Sequence, residues 1–283
     1  MILSNLFILT LFAGLVERIT GISDALYQFC NSLAGRSWLL DNLIALPLDN
    51  QLVKAAIVGG CFLAAWHVGK DEATTQRNRC ILLVTLIAAV FVIATTKTFS
   101  KTVFLPRPFI QSQKAFHLEG DQLVESQRLN YRVPLDEENQ KSYQALLKGE
   151  VVQNDLGSFP SDHAGFYVTI AVGILLASRA IGWLAVGWTF LVMLSSRVIT
   201  GQHSPLDILA GAGIGIVILV LFQLVLGKWL QRLMNPIINW TLRHQAFATG
   251  LIFIAVFEIA NTLQNLRPLL KTGVSIAKHF IKG

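Results

Sequence analysis

Charge is what this sequence has least of. Asp, Glu, Lys and Arg make up 14% of its 283 residues, against about 25% in an ordinary soluble protein. A chain so poor in ionic groups cannot cover a water-facing surface of the size its length implies. Cysteine is also sparse: Cys30, Cys61 and Cys80 are odd in number and widely spaced, which excludes a disulfide framework and gives no metal-ligand spacing. Internal repeats and low-complexity tracts are lacking too. What is abundant is apolar residues, 53% of the chain, with mean hydropathy +0.55, the composition of a membrane protein. The net charge of +6 and pI near 9.4 would suggest nucleic acid in a soluble chain. Here Lys and Arg fall between apolar runs and at the tail, so membrane orientation accounts for them and no nucleic-acid partner is expected.

Apolar runs of membrane-crossing length, about 20 residues, lie near 2–19, 52–69, 80–99, 163–180, 182–200 and 206–227, and a further one near 246–263. Backbone polar groups in lipid must be satisfied within their own segment, so each run predicts a helix. The expected fold is therefore an all-α polytopic membrane helical bundle, with about six core transmembrane helices and a candidate seventh. The first run lacks a basic leader and a small-residue cleavage site, and reads as a retained span. Residues 22–46 are amphipathic and interrupted by Gly35, Arg36 and Asp41, which suits an interfacial helix. The chain thus divides into residues 1–50, a core over 51–227, and a C-terminal extension over 228–283.

An extramembrane insert at about 110–157, between the third and fourth runs, holds five basic and eight acidic residues. Within it Pro134 and Asp136 precede Tyr143, Leu146 and Leu147, with Gly149 after them, the start and stop signals of one short helix. Lys70, Arg77 and Arg79, then Arg179, then Lys228, Arg232 and Arg243 occupy loops that share one side, which the positive-inside rule makes cytoplasmic. The insert then faces outward. A crossing seventh run would leave Arg267, Lys271, Lys278 and Lys282 outside, so that run either stops short or its tail meets anionic headgroups.

Three segments concentrate polar residues where a lipid-facing helix carries none: 97–108, 159–163 and 196–207. All fall at run ends on one membrane surface. In the third, Pro205 suits the first helical position and Ser204 can cap it, so His203 stands at the positive end of a helix, where an anion is favoured. Asp207 lies four residues on; a carboxylate on one ring nitrogen fixes the tautomer and leaves the other as a nucleophile. The same Ser204 and Asp207 spacing is also that of a plain capping box, with His203 a bystander. In the second segment, Ser161 and Asp162 open a helix whose N–H groups favour an anion, and His163 could protonate a departing oxygen. It could equally be an ordinary helix start. The first segment offers Lys97, Lys101 and Arg107, and Arg197 of the third supplies another guanidinium fork for phosphate oxygens; the alternative is that these cations snorkel to headgroups.

Ser196, Arg197, His203 and Asp207 reproduce S-R-x5-H-x3-D, and Pro160, Ser161 and His163 precede them in the order P-S-x-H. The chain in this respect resembles the type 2 phosphatidic acid phosphatase superfamily, which includes bacterial acid phosphatases and vanadium haloperoxidases, over about residues 50–227. The family's first motif is K-x6-R-P; Arg107 and Pro108 match it, but the lysine position is Ser100. Lys101 lies one residue late, turned about 100° on a helix, while Lys97 shares roughly the face of Ser100. Asp162 replaces the family glycine, as in the undecaprenyl diphosphate phosphatase branch. The resemblance implies a reaction without metal or cofactor. His203 attacks phosphorus, Asp207 orients it, and His163 serves as acid and then base. Arg107, Arg197, Ser161, the Asp162 backbone and one of Lys97 and Lys101 hold the phosphoryl oxygens.

The expected partners are membrane lipids and a lipid phosphate or diphosphate, with undecaprenyl diphosphate first. The expected place is a bacterial plasma membrane, with the site facing the exterior. The rivals are phosphatidic acid, phosphatidylglycerol phosphate or lipid A as substrate, or a lipid phosphotransferase.

Overall fold

The computed structural model describes residues 2–103, 105, 107–109, 116–119, 122–125, 141, 144, 145, 148, 157–225 and 227–260. The helices are α1 (Ile2–Asn31), α2 (Trp38–Asp49), α3 (Gln51–His67), α4 (Glu72–Thr102), α5 (Asp162–Ala177), α6 (Arg179–Trp188), α7 (Ser195–Ile199), α8 (Pro205–Val220), α9 (Gly227–Arg243) and α10 (Gln245–Ala260). A π-helical stretch, Thr189–Leu194, joins α6 to α7, and another, Leu221–Val225, extends α8. The chain forms two compact units: residues 1–49, 96–164 and 191–213, and residues 50–95, 165–190 and 214–283.

In the first unit α1 and α2 both pack on α7. Two hydrogen bonds fix α1 there. The buried Asn31 amide donates to the Ile199 carbonyl at 2.8 Å, and Ser23 Oγ accepts the Leu206 N–H at 3.2 Å, satisfying one of the orphan donors at the start of α8. Residues 22–46 are not one interfacial helix, as the sequence suggested. α1 runs on to Asn31, and the chain turns at Gly35, whose φ of 71° is open to glycine and whose N–H reaches Asp41 Oδ1 at 2.8 Å. Ser37 Oγ then accepts the Leu40 N–H to cap α2.

The insert contributes an antiparallel pair, β1 (Phe116–Glu119) and β2 (Gln122–Glu125), in the register Phe116↔Glu125 to Glu119↔Gln122. It was not anticipated, because its four-residue strands are too short to show a period of two. The short helix expected around 137–147 lies mostly outside the described residues.

In the second unit α3 packs on α6 and α10. Cys80, Val84 and Ala88 of α4 form a core with Leu219, Phe222, Leu230 and Ile238. Arg79 is buried here at 1% exposure. Its guanidinium stacks 5.0 Å from the Trp66 ring centre, its Nε donates to the Trp66 carbonyl at 3.3 Å, and its Nη1 donates to Thr241 Oγ1 at 3.1 Å.

The expectation of six or seven spans is overturned. Among the described residues three helical segments are long and apolar enough to cross a membrane: Glu72–Ser100, Arg179–Ile199 and Pro205–Val225. The run at 52–69 falls in α3, which ends at His67 and is 17 residues long. That at 163–180 stops at Ala177, where Ser178 and Arg179 begin the next helix, and that at 246–263 gives α10, 16 residues over Gln245–Ala260. Hydropathy windows pass over such breaks, and these helices are short of the ~20 residues that span hydrocarbon. The chain is an all-α integral membrane protein, and among its described residues three helical segments are both long and apolar enough to span.

Candidate active site

Within the first unit the 159–163 and 196–207 segments come together, with Asp162, His163 and His203 grouped and the Ser161 N–H bonded to the Asp207 carbonyl. α8 begins at Pro205, which places His203 and Ser204 in the preceding turn, as expected from proline at the first helical position. The turn is made by Gly201 at φ 75°. Its carbonyl accepts the Phe109 N–H at 3.1 Å, tying the 107–109 segment to the α7–α8 turn. A methyl group at Gly201 would sit 3.0 Å from Tyr27 Oη and 3.2 Å from Phe109 Cβ, in a backbone conformation that disfavours side chains. Gly201→Ala should therefore lower phosphate release about tenfold, by more than 1 kcal/mol of local strain carried into the His203 turn, with expression retained. An unchanged turnover number would show that the turn tolerates displacement.

His203 is buried, and its Nδ1 lies 2.9 Å from the Ser158 carbonyl oxygen. A carbonyl only accepts, so Nδ1 carries the proton and Nε2 the lone pair. Burial first, and then the positive charges of Arg107 and Arg197, hold the imidazole well below its ordinary ionisation, against the pull of Asp162. At neutral pH His203 is thus uncharged, in one tautomer, with Nε2 available.

Asp207 does not contact this ring nitrogen as the family pattern implied. Its Oδ2 accepts the Ser204 N–H at 2.6 Å, and its own N–H donates to Ser204 Oγ at 3.2 Å. This is the reciprocal capping box weighed as the plainer reading. Asp207 does touch the segment that holds His203: its carbonyl accepts the Ser161 N–H at 3.1 Å, and its carboxylate lies within hydrogen-bonding reach of the Ser158 hydroxyl. Ser158, whose carbonyl fixes the tautomer, was missed in the sequence because the contact is made by backbone and crosses 45 residues.

Asp162 is the first residue of α5, and its Oδ1 lies 2.7 Å from His163 Nδ1 and 2.8 Å from the His163 N–H. Side chains of adjacent helical residues do not normally face one another; the pair meets here because it sits at the helix start, ahead of the regular turns. The contact also engages one of the backbone donors expected to hold phosphate. Burial would raise the Asp162 carboxyl, but His163, and then His203 and Arg197, hold it well below the usual range. Asp162 is an ionised partner to His163. Ser161 Oγ caps α5 by accepting the Ala164 N–H at 3.3 Å.

Asp162, His163 and His203 each present a ligand-type atom within 4.8 Å of the others. Such a trio has the residue types of a metal site, but both Nδ1 atoms are already taken, by Asp162 and by Ser158. With Nδ1 of each ring engaged, Nε2 is the ring nitrogen left to each imidazole for chemistry. Arg107 donates to the Gly157 carbonyl at 3.3 Å through Nε. Arg197, only 5% exposed, donates to Gln202 Oε1 at 2.8 Å through Nη1. Gln202, itself buried, was also missed; its signal was an amide beside the candidate nucleophile at a site built for charge. Its Nε2 has no hydrogen-bond partner among the described residues, an unmet donor of the sort an anionic oxygen would satisfy. Lys97 lies half-buried on α4, and the Lys101 side chain lies outside the described residues.

An all-helical membrane chain with two histidines, two arginines and helix starts gathered at one point defines a class. The PAP2 superfamily matches residues 78–230, and the chain belongs to it. The chain is 42% identical over 59 residues to the bacitracin transport permease protein BcrC of Bacillus licheniformis. This segment is 21% of the chain and 29% of that protein. It is 38% identical over 65 residues to the undecaprenyl-diphosphatase BcrC of Bacillus subtilis, 23% of the chain and 33% of that protein. The similarity thus spans about a third of these relatives. No solved structure matches the chain.

Proposed function

We propose that this chain hydrolyses a lipid diphosphate of the polyprenyl class, undecaprenyl diphosphate first, through a phosphohistidine at His203. The observation that carries the reading is the convergence of Asp162, His163 and His203 within 4.8 Å, with both Nδ1 atoms engaged. His203 Nε2 attacks the terminal phosphorus as the bond to the bridging oxygen breaks, and His163 gives that oxygen its Nε2 proton. His163, now neutral, takes a proton from water as the water oxygen attacks phosphorus. The P–N bond breaks, inorganic phosphate leaves, and both histidines return to their starting states. Arg107, Arg197 and the Gln202 amide hold the equatorial oxygens, where fixed donors in a buried site contribute most. Ser161 and the helix start at Asp162 add to this field, and Lys97 or Lys101 supplies a further cation.

Asp162 orients His163 through the 2.7 Å contact with Nδ1, and its negative charge favours the imidazolium over the neutral ring; Asp207 positions His203 indirectly, through Ser204 and the Ser158 segment. Asp162→Asn should lower turnover roughly 10- to 100-fold at neutral pH. Loss of the negative charge makes the imidazolium easier to deprotonate, so the alkaline limb of the kcat profile moves to lower pH. A fall in rate with no movement of that limb would assign Asp162 a structural role only.

The polyprenyl assignment is supported by the BcrC relatives and by Asp162 in place of the family glycine. A site on the outer face of a bacterial plasma membrane is supported by Lys70 and Arg77 at the other end of α4, and by Lys228, Arg232 and Arg243 after α8. The test is phosphate release by purified protein, without added metal, across polyprenyl diphosphate, phosphatidic acid, phosphatidylglycerol phosphate and lipid A. Preference for the polyprenyl substrate is expected. Preference for a monophosphate would move the assignment within the family, and transfer of label to an alcohol in place of water would make the protein a phosphotransferase.

A further inference from the structure

α9 (Gly227–Arg243) is not a spanning helix, and all but its first residues lie beyond the segment matched by the family. Successive residues turn by ~100° on a helix, which sorts its side chains into three sectors. Leu230, Met234, Ile238 and Thr241 face inward: Leu230 and Ile238 are buried in the core with Cys80, Val84 and Phe222, and Met234 packs against them. Arg79 and Gln76 of α4 fix the roll of the helix by bonding to Thr241 and to Asn239. A second sector, adjacent to the first, holds Trp229, Leu233, Ile237 and Trp240, exposed by 60, 48, 46 and 39%. The third holds Arg232, Asn235, Asn239 and Arg243, all exposed. The helix contains no acidic residue.

An apolar stripe ending in tryptophan at both ends, beside a basic edge, is the pattern of a helix lying in a membrane interface. Its neighbours place it at such a boundary. α9 follows directly on the end of the Pro205–Val225 span and is bonded to Gln76 and Arg79, in the first turns of the Glu72–Ser100 span. We infer that α9 is an in-plane anchor: its Trp229, Leu233, Ile237 and Trp240 stripe enters the acyl boundary of the bilayer, and Arg232 and Arg243 meet anionic headgroup phosphates. The occupant of the exposed stripe is lipid.

Single cysteines for nitroxide labelling, in full-length protein carrying Cys30→Ser and reconstituted in vesicles of phosphatidylcholine and phosphatidylglycerol, test this. The buried Cys61 and Cys80 are controlled by the labelled parent, and phosphate release checks each variant's fold. Labels at 229, 233, 237 and 240 should collide more with oxygen than with a water-soluble nickel chelate, and labels at 232, 235 and 239 the reverse. A uniform pattern would overturn the inference. So would shielding of the stripe from both probes with spin–spin broadening, which would make it a contact between two copies. Arg232→Gln with Arg243→Gln should reduce the phosphatidylglycerol retained on detergent extraction relative to phosphatidylcholine; an unchanged ratio would remove the headgroup contact.

Discussion

Replacing His203 by alanine is expected to lower phosphate release by roughly 10⁴- to 10⁶-fold, the scale on which loss of a covalent nucleophile acts. The effect is large because nothing else in the site can take over. His163 Nδ1 is held by Asp162, and its Nε2 proton is needed by the leaving oxygen. The loss should fall on kcat, since Arg107, Arg197 and Gln202 remain to bind phosphate. In the wild-type protein the acid limb of kcat/KM should lie well below pH 6.5, because burial and the two arginines disfavour the charged imidazole. The sign is fixed by the role: a nucleophile must be neutral, so a depressed ionisation extends activity toward acid. Removing one positive charge with Arg107→Gln should raise the His203 ionisation and move that limb upward. An acid limb at or above the ordinary histidine value would argue that His203 is not the group titrating.

His163→Gln should show the second largest effect, and one that depends on the leaving group. With a polyprenyl substrate both steps lose their proton carrier, a loss of about 10²- to 10⁴-fold. With an aryl phosphate the departing phenolate needs no proton. The first step then survives while water attack does not, and one equivalent of phenol should be released in a burst followed by a stall. Slow release without a burst would place His163 in the first step alone or outside the chemistry.

The contrast between what was legible and what was not follows the range of the interactions. His203, Arg197, Ser204 and Asp207 lie within twelve residues, and proline at the start of α8 made their local geometry readable from sequence. The meeting of the 159–163 and 196–207 segments could be inferred from their shared place at run ends. The Ser158 carbonyl on His203, the Asn31 and Ser23 bonds from α1, and the Gly201 contact with Phe109 could not, since backbone acceptors and long-range pairs leave no periodic signal. The role given to Asp207 failed for a related reason. Spacing of four residues is shared by a catalytic pair and by a capping box, and only coordinates distinguish them. The motif marks Asp162 only as a replacement for the family glycine, and its pairing with the adjacent His163 needs the helix-start geometry to be seen. The span count failed because residue windows pass over helix ends such as Ala177–Ser178–Arg179.

The central claim is that a phosphoryl group rests on His203 between the two halves of the reaction. His163→Gln protein, mixed with an aryl phosphate carrying ³²P and quenched in base, tests it directly. The expected result is one label per chain, stable to alkali and lost in mild acid, recovered on the peptide that contains His203 and absent from a His203→Ala, His163→Gln double variant. Label on any other residue, or phenol release by the double variant at the rate of the single one, would contradict it.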